Sequence, residues 1–376
     1  MLHVTEINDV DHFLEMKKTW NEVLDKSNDN NVYLTWEYLS TYWKHFGKNR
    51  KLRILCLEDG THIIGMAPLR QQRLKLAGPV GYELIEPLAY RGLMPEGADY
   101  TGIILTERET ECLHSLFNYL ANDGSWDFMY LMDVQGTSTI PSLLNQMSNS
   151  IPFRFETGKG AICPYMLLPN SPDALMKSFG PRVRKNLRRQ LRNLQSDFHS
   201  VELKKYNALG SVQETMESFF ELHQKSCKNR GLPGVFATQE VRNFYTDVAR
   251  QFADNGWLAL YFLTVDDRSV AAYYCFEYSN KMLYALSGFD PDYSSYSVGN
   301  LLLLKIIEKS IAKGLGELDF LKGDEAYKFR WTSSYRQNLK ITFVNNKFTS
   351  NLYNFGISNI KRLKMSELLQ RSLVYS

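Results

Sequence analysis

The chain carries one plan twice, and that repetition constrains its fold more than any other feature. Residues 32–43, VYLTWEYLSTYW, align with residues 235–246, VFATQEVRNFYT, so that Val32, Thr35, Glu37 and Tyr42 coincide with Val235, Thr238, Glu240 and Tyr245, and Tyr33 faces Phe236. Each copy has the form of a capped helix start, in which a Thr side chain accepts from an unpaired first-turn amide. Upstream of each lies an amphipathic helix pattern, marked by Phe13, Met16 and Trp20 in the first copy and by Met216, Phe219, Phe220 and Leu222 in the second. Downstream comes a hairpin pattern, LRILCLEDGTHIIGMAPLR turning at Asp59 and Gly60, then WLALYFLTVDDRSVAAYYCFEY turning near Asp266 and Asp267. Both halves run on through strands to a helix and a closing strand, DFMYLMDV and LDFLKG. The order predicts two similar α/β domains, residues 1–165 and 166–376. The join falls near 165–180, where Pro164, the PNSP run from Pro169 to Pro172, and Gly180-Pro181 break periodicity. With 376 residues and 44% apolar content the chain can bury two cores.

Charge narrows the function classes only locally. Lys and Arg total 44 against 41 Asp and Glu, a net charge of +3, so no whole-protein field singles out nucleic acid as partner. The start, MLHVTEINDVDHF, lacks the cationic and apolar blocks of a signal peptide, and no apolar run approaches membrane-spanning length. A cytoplasmic protein with no integral membrane association is expected. Five widely spaced cysteines, with no CxxC and no paired histidine spacing, predict reduced, mostly buried thiols and no metal site. From Lys177 to Arg192, however, there are seven basic residues and no acidic one, with Val183, Leu187, Leu191 and Leu194 sharing one helical face. A solvated helix and an anion clamp led by Arg184 and Arg188 both fit this pattern. The segment lacks the interleaved aromatics of a base-stacking platform.

The other polar concentration lies near the end of the second copy. LDFLKGDEAYKFRW, Leu318 to Trp331, sets an apolar run ahead of a Gly323-Asp324-Glu325 corner followed by Tyr327 and Lys328. A functional strand end and an ordinary polar turn are both open here. Before it, SVGNLLLLKIIEKSIAKG reads as a helix capped by Ser297 and stopped by a left-handed Gly314. The loop ahead of that helix offers Ser295 and Ser297 hydroxyls and the amides of Val298, Gly299 and Asn300 to an anion, though a capped core helix needs no ligand. His223, beside an apolar helix face, and Tyr284, in a dense set of phenols, are further candidates for a cleft or for the core. No GxSxG elbow occurs, so no serine relay is expected. The tail Asn359–Tyr375 has an amphipathic rhythm suited to docking on the protein itself, on a partner helix or on an anionic membrane surface.

Together these segments resemble the CelD/BcsL-type acetyltransferase domain of the GNAT acyltransferase superfamily, which is related to the FemABX aminoacyl transferases. The resemblance rests on LDFLKGDEAYKFRW, supported by RKNLRRQLRNL (Arg184 to Leu194), FFELHQKSCKNRG (Phe219 to Gly231), TWEYLSTYWKHFG and ADYTGIIL. It implies an α/β (α+β) fold of tandem GNAT-like domains, each a mixed, mostly antiparallel sheet flanked by helices. The first would be a scaffold or acceptor wall, and the second, including the basic helix 182–195, catalytic. The implied activity is N-acyl transfer from acetyl-CoA or another acyl-CoA to an amine of a sugar, polysaccharide precursor or related metabolite, without a metal. In that chemistry Glu325 is the expected base, with Asp324 beside it; Tyr327 would protonate the leaving sulfur and Lys328 would neutralise negative charge. Ser295, Ser297, Val298, Gly299 and Asn300 would hold the donor, and Arg184, Arg188, His223 and Tyr284 the acceptor. Two alternatives remain: FemABX-like transfer from aminoacyl-tRNA, and a non-catalytic binder of an anionic glycan or nucleic acid.

Overall fold

The computed structural model describes residues 2–77, 80–90, 97–208 and 210–345; the predicted tail helix, Asn359–Tyr375, lies outside them. In chain order the strands are β1 (His3–Ile7), β2 (Lys51–Asp59), β3 (His62–Ala77), β4 (Val80–Pro87), β5 (Ile104–Leu105), β6 (Phe128–Val134), β7 (Arg154–Leu167), β8 (Val201–Lys205), β9 (Leu258–Val265), β10 (Arg268–Tyr278), β11 (Lys281–Phe289), β12 (Glu317–Asp319) and β13 (Tyr335–Val344). The helices are α1 (Val10–Glu15), α2 (Lys17–Asp25), α3 (Trp36–Phe46), α4 (Glu109–Asn122), α5 (Ile140–Gln146), α6 (Pro172–Ser178), α7 (Pro181–Asp197), α8 (Val212–Asn229), α9 (Gln239–Asp254) and α10 (Val298–Ala312). None of the described helices is long and apolar enough to cross a membrane.

The repeat is real at the level of topology. In the first unit β1, β2, β3 and β4 pair antiparallel in sequence, β4 pairs β6 in parallel, and β6 pairs β13 antiparallel. In the second, β8, β9, β10 and β11 pair antiparallel, β11 pairs β12 in parallel, and β12 pairs β7 antiparallel. Each parallel step is made by one crossover helix, α4 in the first and α10 in the second, as parallel neighbours require. Both units are therefore mixed, mostly antiparallel sheets with flanking helices, the tandem GNAT-like architecture.

Local chemistry explains the matching elements. Thr35 accepts from Tyr38 N at 3.3 Å to start α3, and Thr238 accepts from Val241 N at 3.3 Å to start α9. The hairpin turns use left-handed residues, Gly60 at φ 61° in one and Asp266 and Asp267 at φ 46° and 62° in the other, the geometry that tight two-residue turns demand. Leu57, Ile85, Leu116, Leu131 and Phe343 belong to the first core, and Leu175, Leu194, Ala271, Leu302 and Leu318 to the second. All five cysteines are buried and unpaired with one another.

The units are Met1–Ala161 with the chain from Arg336 onward, and Ile162–Tyr335. This differs from the split at 165 with everything beyond it in the second domain. The strand that follows the first repeat, β7, contributes Tyr165–Leu167 to the second sheet, while β13, which follows the second repeat, pairs with β6 and sets Ile341 and Phe343 into the first core. DFMYLMDV and LDFLKG are thus penultimate strands, each closed by one more. The Pro-rich join is also more ordered than its composition suggests: Ser171 accepts from Ala174 N at 3.1 Å, Pro172 begins α6, and Leu175 is buried.

Candidate functional site

The residues of interest in the second unit gather around the start of α10 and the corner after β12. β11 ends at Phe289, and Asp290, nearly fully buried, anchors the loop that leaves it. Its carboxylate accepts from Asp292 N at 3.2 Å, from Lys225 Nζ at 3.1 Å and from Arg268 Nη2 at 3.0 Å. One short 3-10 turn, Pro291–Tyr296, then leads into α10. Ser297 does not cap the helix as expected. It sits in the left-handed region at φ 53°, and its hydroxyl instead accepts from Gln190 Nε2 of α7 at 2.8 Å. The amides of Val298, Gly299 and Asn300 lie ahead of the i→i−4 ladder, which begins with Leu301 N on Ser297 O at 3.2 Å, and no hydrogen bond reaches them among the described residues. These three donors, at the positive end of a 15-residue helix, face an environment free of carboxylates in the first turn. At the far end Gly314 takes φ 76°, the left-handed stop the sequence predicts.

The first unit has the same crossover helix with the opposite electrostatics. α4 also starts from a left-handed residue without a side-chain cap, Arg108 at φ 49°, but Glu109 and Glu111 occupy its first turn. Carboxylates there satisfy the helix dipole and repel a phosphate.

A chain of phenols runs from the α10 start towards the corner. A methyl group at Gly299 would lie 3.9 Å from Tyr273 Oη, the Tyr273 and Tyr284 rings are 4.7 Å apart, and Tyr327 Oη donates to Tyr284 Oη at 3.2 Å. Tyr284 also shares a 2.8 Å hydrogen bond with Ser287 Oγ. Burial raises the pKa of all three phenols well clear of neutrality, with the neighbouring Tyr284 adding to the effect on Tyr327. Tyr284 is thus core floor, not the exposed stacking surface expected of it. Tyr327 is turned into the same cluster, its proton engaged with Tyr284, which removes it from the role of ready acid for a leaving sulfur.

The corner itself is held by residues that the sequence pattern does not single out. Asp319, fully buried at the end of β12, accepts from Leu321 N at 2.8 Å, and Leu321 and Gly323 take φ 56° and 126°. The glycine is required by its φ of 126°, which residues with a Cβ rarely adopt. Lys328 is 4% exposed; its Nζ donates to Lys322 O at 2.9 Å and pairs with Glu325 Oε2 at 3.0 Å. It fastens the corner and does not reach outward to an anionic substrate. Asp324 is exposed and Glu325 keeps 44% of its side chain accessible, so a carboxylate oxygen stays open to a proton. A buried Asp at a strand end two residues before a forced left-handed turn was the signal available for Asp319.

Three acceptor-binding candidates, His223, Arg184 and Arg188, are not brought to this site. His223 is buried, with Nδ1 2.7 Å from Ser287 O and Val235 N donating to Nε2 at 3.4 Å, and Cys227 Sγ lies 3.3 Å from the same nitrogen. Burial lowers its pKa to about 4, outweighing the Ser287 carbonyl, so it is a neutral packed imidazole between α8 and β11. Gly288 permits that close approach, a Cβ there falling 2.3 Å from His223 N. Arg184 and Arg188 lie on the outer side of α7, roughly opposite the face through which Gln190 reaches Ser297, at about 100° per residue. Val183, expected on the packed face, is 37% exposed, while Leu187 and Leu194 are buried.

Residues 181–329 match the family model of an acetyltransferase (GNAT) domain. No curated protein matches by sequence. Among solved structures the chain is similar to FemX (TM-score 0.64, 11% identity, 94% of this chain and 99% of that one). It is similar also to a conserved protein of unknown function from Bacteroides thetaiotaomicron VPI-5482 (TM-score 0.54, 11% identity, 92% and 100%). A third likeness is to L-PGS from Bacillus licheniformis (TM-score 0.52, 9% identity, 91% and 96%). At such identities the structural likeness is one of fold. The family model and the doubled topology agree on a GNAT-like fold, with the GNAT domain match falling in the second unit.

Proposed function

We propose that the chain is an N-acyltransferase that uses acyl-CoA at the start of α10. The observation that carries this reading is the asymmetry between the two crossover helices. Three unbonded amides at Val298, Gly299 and Asn300 meet no acidic side chain in the first turn of α10, whereas the equivalent turn of α4 bears Glu109 and Glu111. Only the former suits a pyrophosphate. In the reaction an amine attacks the thioester carbonyl, the C–N bond forms as the C–S bond breaks, the amine loses one proton, and the thiolate gains one. We assign to Glu325, with Asp324 beside it, the role of taking the amine proton; its corner is fixed by Lys328 and Asp319. We assign the first unit a scaffold or acceptor-binding role. The acceptor class that the CelD/BcsL resemblance suggests is an amine of a sugar or polysaccharide precursor, and a cytoplasmic setting goes with an acyl-CoA donor.

Calorimetry with acetyl-CoA tests the donor site. Gly299→Asp keeps a residue suited to a helix start but introduces a carboxylate, and is expected to weaken binding by about tenfold or more. Failure of the folded protein to bind any acyl-CoA, or equal binding by the variant, rejects the reading. A second reading, transfer from aminoacyl-tRNA, draws on the likeness to FemX and on the cations of α7. Displacement of bound CoA by tRNA would favour it.

A further inference from the structure

We propose that the outer ridge of α7 is a docking surface for an anionic lipid bilayer, a surface separate from the donor site and independent of the acyl-transfer reading. Pro181, Arg184, Lys185, Arg188 and Arg192 line one shallow groove of about 310 Å³. Their spacing of three, four, seven and eleven residues places them in a single stripe, about 16 Å long at 1.5 Å per residue.

The cations of this helix have no counter-charge among the described residues. Among the described residues no ion pair involves Arg182, Arg184, Lys185, Arg188, Arg189 or Arg192. Elsewhere in the same unit cations do find acids, as in Lys204–Asp267 at 3.0 Å, Arg268–Asp290 at 3.0 Å and the Lys313–Glu277 pair. The helix's own acid, Asp197, is taken by Tyr296 Oη at 2.8 Å and by Ser196 Oγ at 2.9 Å. Like charges one turn apart destabilise a helix, so an external anionic surface would relieve a repulsion that the fold leaves in place.

The ridge is also presented rigidly. Leu187 and Leu194 are buried in the core and Gln190 is bonded to Ser297, so the cationic side faces outward. A stripe of unpaired, outward-facing cations matches the charged headgroup layer of an anionic bilayer. A nucleic acid offers the same phosphate charge, but no residue from Pro181 to Asp197 is aromatic and able to stack a base. The geometry therefore favours the bilayer.

Co-sedimentation of the full chain with phosphatidylcholine vesicles, with and without phosphatidylglycerol, reads the proposal directly. Binding to the anionic vesicles alone is expected, falling about tenfold or more between roughly 50 and 300 mM salt as screening shortens. Replacing Arg184, Lys185, Arg188 and Arg192 together by Gln should abolish it with the circular dichroism unchanged. Arg188→Gln with Arg192→Gln should weaken it at least severalfold, which keeps the test sound if the fourfold variant misfolds, and Arg250→Gln, off the ridge, should leave it intact. Equal affinity for neutral vesicles, no retention on anionic vesicles at low salt, or wild-type binding by the folded ridge variants overturns the proposal. Ridge-dependent retention of tRNA without retention of vesicles also overturns it, in favour of a nucleic-acid surface.

Discussion

His223→Asn should change the pH dependence of stability, and leave donor binding alone. In the fold the imidazole is buried, and its pKa falls from 6.5 to about 4. A pKa depressed on folding gives stability that is fully present above the unfolded value and is lost as pH falls from 6.5 towards 4. Integrating proton binding over that window gives about 3 kcal/mol. Asn can still donate to Ser287 O, the 2.7 Å partner of Nδ1, but it loses the Val235 amide and the ring contact with Phe236 at 4.9 Å. The variant should therefore be less stable by about 1–3 kcal/mol at neutral pH. Near pH 4 the difference should shrink to nothing or reverse, because the wild type alone bears the cost of charging. Urea unfolding between about pH 7.5 and 4, with hydrogen exchange of the α8 amides reporting on the second unit, measures both effects. Parallel pH profiles for the two proteins would refute the reasoning. A histidine lining a cleft would show itself differently, through weaker acyl-CoA or acceptor binding at an unchanged stability slope.

In the first unit Asp29 should behave with the opposite sign. Burial, partly offset by the Ser138 hydroxyl and reinforced by Glu109, raises its pKa from 3.8 to about 6. Its contribution is thus full below 3.8 and lost as pH rises through 6, so Asp29→Asn, which keeps an acceptor for Ser138, should gain up to about 3 kcal/mol near pH 7.5 relative to pH 4. An unchanged urea midpoint at pH 7.5 would count against this. Lys328→Met should cost about 1–3 kcal/mol in thermal or urea melts by removing the hydrogen bond to Lys322 O and the ion pair with Glu325, while acyl-CoA binding at the α10 start persists. A stable variant would show that Lys328 does not fasten the corner. Gly288→Ala should lower the melting temperature by several degrees, because the new methyl meets the His223 backbone at 2.3 Å and backbone cannot swing aside. A neutral outcome would mean that α8 and β11 are more loosely packed than described.

What the sequence made legible was what is encoded locally. The Thr35 and Thr238 caps, the Asp59-Gly60 and Asp266-Asp267 turns and the Gly314 stop each depend on a few adjacent residues, and each is found where the pattern put it. The tandem plan emerged because those local signals recur in the same order. Partner choice over long separations was not legible. Nothing in YRQNLKITFV says that β13 will close the sheet containing β6, some two hundred residues earlier in the chain. Side chains near the candidate site misled for the same reason. Lys328, His223 and Tyr284 look like available polar groups until their partners, Lys322 O, Ser287 O and Ser287 Oγ, are seen. Ser297 has the composition of a cap, but its left-handed backbone and Gln190 turn the hydroxyl to another use.

The placement of β13 reaches back into biosynthesis. A nascent polypeptide emerging from the ribosome has β1 to β6 of the amino-terminal sheet in hand by Val134, yet it must wait for Ile341 and Phe343 before that hydrophobic layer can be sealed. Until then the free margin of β6 is a hazard that folding helpers would have to shield. Stop codons shortly before Arg336 should on this account spare the unit Ile162–Tyr335 and damage the other, leaving a product whose later unit can mature while its amino-terminal unit stays open to proteases.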